Sequence, residues 1–400
     1  MKTIMWGLNN SRVKELFSHS LVFAFFYLFY ELNSYFRYPY LRLGDAWFDK
    51  MFDDTNQVLN SAKCYATMGR TIYDQVTCSY LYGSPLLDFI NFLGVVPENV
   101  YFIGKLFLII NIMIYTYFSV YSYNKFGAKR LALCVIIFIS PPFHYLIERG
   151  NFDSLIILLL IIAAASIFNG KILIGSIVLG VASVFKFYTL PVLIMYLLVV
   201  ISAKRKHLKI QLIVASISTI FVFRDYVEIR NILGSGTGGY GGTFGLKSFA
   251  LYANHLSDYF NTTYVFLLTV IIFTLIIIIM SFKFKLSEPR FYELESFAGV
   301  TRLLFGLQII FCYLLSINND YRLSILGIFL AALLMNSVKK SVIERYILIF
   351  GIVSMWLSYP SWIFQVLGDF SLFVTICLIV YNFLRSYFEF RVHKNNTDLH

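Results

Sequence analysis

Apolar runs broken by short polar loops fill this chain from Ser18 to Leu384, and nothing else in it restricts the fold as strongly. Inside a bilayer a backbone must satisfy its own N–H and C=O groups, so an apolar run of roughly 17 to 25 residues has to be a helix. Measured against that length, the chain holds about twelve candidate spans. They lie at 18–36, 99–121, 131–147, 154–169, 172–185, 187–202, 210–223, 263–282, 297–317, 323–337, 346–359 and 366–385, and those starting at 154, 172, 323 and 346 are short. The expectation is an all-α polytopic membrane protein forming one integral membrane domain over residues 1–400. Composition agrees, with 58% of residues hydrophobic and 14% charged, where a soluble domain carries about 25% charged residues.

The first run follows a polar stretch containing Lys2, Arg12 and Lys14 and ends without a small-residue cleavage pattern, so it reads as a retained signal anchor. Cytoplasmic loops retain Lys and Arg. Placing both termini inside puts most of the 33 Lys and Arg in inner loops and most of the 22 Asp and Glu outside. The net charge of +11 then reports orientation rather than nucleic-acid binding, because the basic residues are dispersed through short loops and form no single patch. Five polar segments turn outward: the long first loop 37–98, the interruption Glu148-Arg149-Gly150-Asn151-Phe152-Asp153, Lys186, the segment 224–262, and Asn318-Asn319-Asp320-Tyr321-Arg322. Of the five cysteines, Cys134, Cys312 and Cys377 lie in apolar runs. Cys64 and Cys78 share the first outer loop and can pair if it faces an oxidising compartment.

In that loop Asp45, Asp49, Asp53, Asp54, Asp74 and Asp88 are interleaved with Trp47, Phe48, Met51, Phe52, Val58 and Leu59. Helical spacing places Trp47, Met51, Phe52 and Val58 or Leu59 on one stripe, opposite the carboxylates, Asn56 and Asn60, as in an interfacial helix holding a carboxylate at headgroup level. Tyr82-Gly83-Ser84-Pro85-Leu86-Leu87 reads as a turn into a second interfacial helix, with Pro at an early helical position. Arg149, Lys186, Arg224 and Arg322 each stand at the outer end of a span and together suit an anionic headgroup, although Lys186 alone also fits a lysine snorkelling to the interface. Glu148 and Asp153 fit as ion-pair partners that orient Arg149. The glycine-rich stretch 234–242 lacks the Lys-Ser or Lys-Thr of a phosphate loop and reads as a flexible outer loop able to open for a bulky substrate. His144 and His255 read as structural or interfacial, and with no His/Cys cluster nothing calls for a metal or a cofactor.

Taken in order, these residues resemble a known family. An Asp opens the first outer loop, a Gly and Tyr follow, then an aromatic-Gly-Ser-Pro-Leu turn, Glu148-Arg149-Gly150-Asn151-x-Asp153 heading an apolar helix, and a Gly-rich helix ending in Lys186-Phe187-Tyr188-x-x-Pro191. The order is similar to that of the polyprenyl-phosphate-sugar-dependent glycosyltransferases of the C fold, specifically the bacterial mannosyltransferase-like glycosyltransferase family 87. The match is most specific from Glu148 to Pro191 and covers about half of the chain; Gly83-Ser84-Pro85 stands where the family more often has Tyr-Pro-Pro. The resemblance implies a C-type bundle in the bacterial inner membrane, with its site facing outward, that moves one hexose from a polyprenyl-phosphate sugar to a glycan or glycolipid acceptor in cell-surface polysaccharide synthesis. By that match Asp54, or its neighbour Asp53, is the general base of an inverting displacement. Arg149, Lys186, Arg224 and Arg322 would hold the donor phosphate, and Tyr82, Glu148, Asn151, Asp153, Asn319 and Asp320 would bind or orient substrate.

Two other readings compete. An O-antigen or polysaccharide polymerase or ligase shares the aromatic-rich composition and outward chemistry but uses a lipid pyrophosphate donor. A transporter or lipid-linked glycan flippase fits the span count, against a very long first outer loop and span centres nearly free of charge.

Overall fold

A computed structural model describes residues 2–36, 51–68, 84–202, 208–224, 243–245, 262–283, 296–315, 318–319, 322–336, 341–357 and 362–397. Among them, fifteen α-helices and two 3-10 turns account for nearly all of the structure. In chain order the helices are α1 (Lys2–Phe36), α2 (Asp53–Met68), α3 (Ser84–Phe92), α4 (Val100–Phe126), α5 (Ala128–Phe138), α6 (Pro141–Glu148), α7 (Asp153–Phe168) and α8 (Ile172–Phe185). They continue as α9 (Leu190–Ser202), α10 (Leu208–Arg224), α11 (Thr262–Lys283), α12 (Phe297–Leu315), α13 (Leu323–Leu334), α14 (Val342–Leu357) and α15 (Trp362–Thr397). A two-residue antiparallel ladder pairs β1 (Thr243–Phe244) with β2 (Asn318–Asn319), so two of the segments expected to face outward meet.

Three helical stretches are individually long and apolar enough to cross a membrane, namely Pro97–Phe126, Phe297–Leu314 and Phe364–Leu384. A fourth crossing arises if α5 and α6, bent by 51° at their junction, count as one span. Five further apolar helices, among them α7, α8 and α13, are shorter. The single helix expected at 131–147 is therefore two. Pro141 and Pro142 open α6, and because proline has no N–H to continue a helical ladder, the chain restarts there in a new direction. The break frees carbonyls at the end of α5, and Tyr30 Oη–H donates to that of Phe138 while Trp356 Nε1–H donates to that of Ile136 at 3.2 Å.

α13 is buried along its whole length from Leu323 to Leu334. A helix apolar all round belongs at the centre of a bundle, and α12, α14, α5 and α6 pack around it. Large apolar side chains point outward from the surrounding helices, Phe102 and Ile220 at 68% exposure each, as on a lipid-facing surface. A smaller cluster sits apart: Val58, Leu59, Ala62 and Tyr65 of α2 pack with Leu86, Leu87 and Ile90 of α3, Phe107 of α4 and Phe152. Phe152 bridges to α4 by an edge-to-face contact with Phe107 at 5.0 Å, and Phe89 of α3 meets Phe185 of α8 at 5.6 Å.

The turn at Ser84-Pro85 does open a helix, α3. The first apolar stripe is corrected. α2 starts only at Asp53, since Phe52 has φ +64° and lies outside the helix, so Met51 and Phe52 cannot share a helical face with Val58 and Leu59; Trp47 lies outside the described residues. Cys64 on α2 is disulfide-bonded, whereas Cys134, Cys312 and Cys377 are buried free thiols. Cys78, His255 and the stretch 234–242 lie outside the described residues. His144 is buried, with its ring stacked on Tyr30 at 5.7 Å.

Candidate functional site

α2 docks its first turn onto the interruption between α6 and α7. The backbone N–H of Phe52 donates to the carbonyl of Glu148 at 2.8 Å, that of Asp54 to the carbonyl of Arg149 at 3.1 Å, and Thr55 Oγ1–H to the carbonyl of Gly150. The close approach depends on Gly150, whose φ is +57°, and where a Cβ would lie 2.6 Å from Thr55 Oγ1. Glycine alone combines that backbone angle with that contact. A helix N-terminus carries a partial positive charge, so Asp53 and Asp54 suit the first turn of α2.

The docking brings Asp54 against Arg149. Asp54 Oδ1 accepts from Arg149 Nε at 2.7 Å and from a terminal guanidinium nitrogen, and Oδ2 accepts from Asn151 Nδ2. Each carboxylate oxygen offers two lone pairs; among the described residues these three bonds leave one on Oδ2. Tyr145, one turn before Arg149, puts its hydroxyl 3.3 Å from the guanidinium and its ring 5.4 Å away. Burial works to lower the basicity of Arg149, but Asp54 and Tyr145 outweigh it and hold the guanidinium above the usual arginine range.

Asn151 joins this pair to a second one. Its Oδ1 accepts the backbone N–H of Asp153 at 2.8 Å, an Asx turn that opens α7. Asp153 is 1% exposed; its Oδ1 accepts from Lys186 Nζ and from Tyr188 Oη, and its Oδ2 from Arg322 Nε at 3.3 Å. Lys186 is 2% exposed, so it does not snorkel. Burial pushes its ammonium down to about 8 despite the pull of Asp153. For Asp153 burial acts upward, yet Lys186 and Arg322 bring the carboxyl below its usual range. Two carboxylates and three cations thus form one chain of contacts across α2, the 148–153 segment, the α8–α9 junction and the start of α13.

Six of the residues singled out in the sequence meet here: Asp54, Arg149, Asn151, Asp153, Lys186 and Arg322. Glu148 contributes its backbone carbonyl. Asp153 pairs with Lys186 and Arg322 and not with Arg149, which corrects the expected pairing. Asp53 stands at the edge, its Oδ2 accepting from Gln57 at 2.9 Å. Arg224 ends α10 with its side chain exposed, and no ion pair among the described residues links it to the cluster. Asn319 lies in β2, opposite Thr243. Tyr82 and Asp320 lie outside the described residues. Sequence reasoning gave no role to Tyr188, Tyr145, Thr55 or Gln308, whose Nε2 donates to the Tyr188 carbonyl at 3.2 Å. Tyr188 sits inside the Lys-Phe-Tyr string, which was its one signal. Comparison with known protein families, with characterised proteins and with solved structures finds no match.

Proposed function

We propose that this chain is a polytopic membrane glycosyltransferase of about twelve spans that transfers one hexose from a polyprenyl-phosphate sugar to a glycan or glycolipid acceptor on the outer face of a bacterial inner membrane. The observation that carries the reading is the convergence of Asp54 with Arg149, Lys186 and Arg322, drawn from four separate segments into one linked cluster. A transfer from a lipid monophosphate needs these two kinds of group: a carboxylate to take a proton, and cations to receive the phosphate charge.

In the proposed step the acceptor oxygen attacks the anomeric carbon while the bond from that carbon to the phosphate oxygen breaks. Asp54 takes the acceptor proton on the remaining lone pair of Oδ2. The electron pair of the broken bond leaves on polyprenyl phosphate, beside Lys186 and Arg322. Asp54 is favoured over Asp53 because it alone of the two is bonded to the cluster.

Purified protein supplied with a polyprenyl-monophosphate sugar and a glycan acceptor tests this. Transfer by the wild type should fall about 10²- to 10⁴-fold in Asp54→Asn, as expected for a lost general base, and by much less in Asp53→Asn. Turnover of only a lipid-pyrophosphate oligosaccharide would sink the reading in favour of a polymerase or ligase.

A further inference from the structure

Tyr188 touches the Asp153 cluster with two parts of itself and is anchored to a neighbouring helix by a third. Its hydroxyl donates to Asp153 Oδ1, the same oxygen that holds Lys186. Its ring lies 5.4 Å from Lys186 Nζ and 5.1 Å from Arg322 Cζ. Its backbone carbonyl accepts from Gln308, which ties the 3-10 turn Phe187–Thr189 to α12. Tyr188 and Gln308 are both buried, at 4% and 0% exposure.

Two cations beside one carboxylate repel each other, and Asp153 holds them on separate oxygens, Lys186 on Oδ1 and Arg322 on Oδ2. An aromatic face attracts a cation through its quadrupole, more strongly where water is excluded, so the ring gives Lys186 and Arg322 a common surface. The hydroxyl acts on the other side of the balance. By sharing Asp153 Oδ1 it loosens the carboxylate's hold on Lys186.

We infer that Tyr188 is the positioning residue of an anion site, holding Lys186 and Arg322 at a fixed spacing for a phosphate monoester while keeping Asp153 from neutralising Lys186 fully. The identity of the anion rests on the donor reading above; the positioning role does not.

Lys186 is faced by Asp153 from α7, Arg322 beside α13, Tyr188, Asp54 from α2 and Cys312 from α12. Its folded value is near 8, against about 10.4 in an unfolded chain. Between those values the unfolded state binds more protons, so this group makes stability rise with pH across that window and adds no slope below it. The full-length protein in detergent would be scanned for thermal midpoint from pH 7 to 10, with Lys186→Met defining the part of the alkaline rise that belongs to this lysine. In Tyr188→Phe the ring stays but Asp153 Oδ1 is left to Lys186, so the rise should begin at higher pH than in the wild type. An unchanged onset would overturn the hydroxyl's part, showing that it does not restrain Asp153 from neutralising Lys186. Binding of farnesyl phosphate gives a second readout, expected to weaken about tenfold in Tyr188→Leu, where the cation–π contacts are lost. If Tyr188→Leu fails to fold, the pH onset of Tyr188→Phe still decides whether the hydroxyl restrains Asp153, without which the proposal falls. Failure of the wild type to bind farnesyl phosphate overturns the anion part and the donor reading with it, while the pH onset separately decides whether the Tyr188 hydroxyl restrains Asp153.

Discussion

Gly150 shows how much of the site hangs on one backbone position. A Cβ there would meet Thr55 Oγ1 at 2.6 Å and Phe52 Cδ1 at 2.8 Å, and φ is +57°. Gly94 offers the comparison, since its φ is +64° and nothing lies within 4 Å of its Cβ position. Alanine at Gly94 should cost about 1 kcal/mol for the left-handed backbone alone and leave transfer intact. At Gly150 the same change adds a clash that pushes α2 off the Glu148 and Arg149 carbonyls, for a loss of about 2–3 kcal/mol. Transfer should fall as well, because Asp54 is carried by that docking. Thermal midpoints and transfer rates of the two variants check this; equal effects would remove Gly150 from the docking argument.

Helix boundaries separate what the sequence makes legible from what it does not. The start of α3 follows from Pro85, whose fixed φ suits a first turn. The burial of α13 follows from its unbroken apolar run. By contrast, the Phe52 backbone at φ +64° moves the start of α2 past Met51 and Phe52, and only tertiary docking explains that conformation. Partner choice was equally hidden. The charges at Arg149 and Asp153 were plain, but their partners lie 95 and 33 residues away in the chain, at Asp54 and Lys186, and spacing says nothing across such distances. The same holds at the opposite end of α13. There Arg130, from the start of α5, donates to the carbonyl of Leu334 and to that of Asn336 at 2.7 Å. Terminal carbonyls of a buried helix need such donors, and the cation also complements the helix dipole. Arg130→Met should therefore cost about 1–3 kcal/mol, with partial recovery in Arg130→Lys. A thermal midpoint identical to wild type would show that water satisfies these carbonyls.

Across the whole molecule, residues assigned from loop charge to one side of a membrane meet one another in space. Asp54, Arg149, Asp153, Lys186 and Arg322 gather at one end. Arg130 reaches the end of α13, and Arg302 pairs with Glu344 at 3.2 Å, all residues assigned to inner loops or their borders. If the chain alternates as proposed, Asn60 on α2 and Lys129 on α5, both exposed, face opposite compartments. Native thiols interfere little, because Cys134, Cys312 and Cys377 are buried and Cys64 is disulfide-bonded. A membrane-impermeant maleimide added to cells with a permeabilised outer membrane should label Asn60→Cys and leave Lys129→Cys unlabelled until the inner membrane is opened. Neither position belongs to the charged cluster, so the fold should survive both changes. Labelling of both from the same side would break the alternation, and with it the argument that the Asp54 cluster works on the face where lipid-linked sugars are consumed.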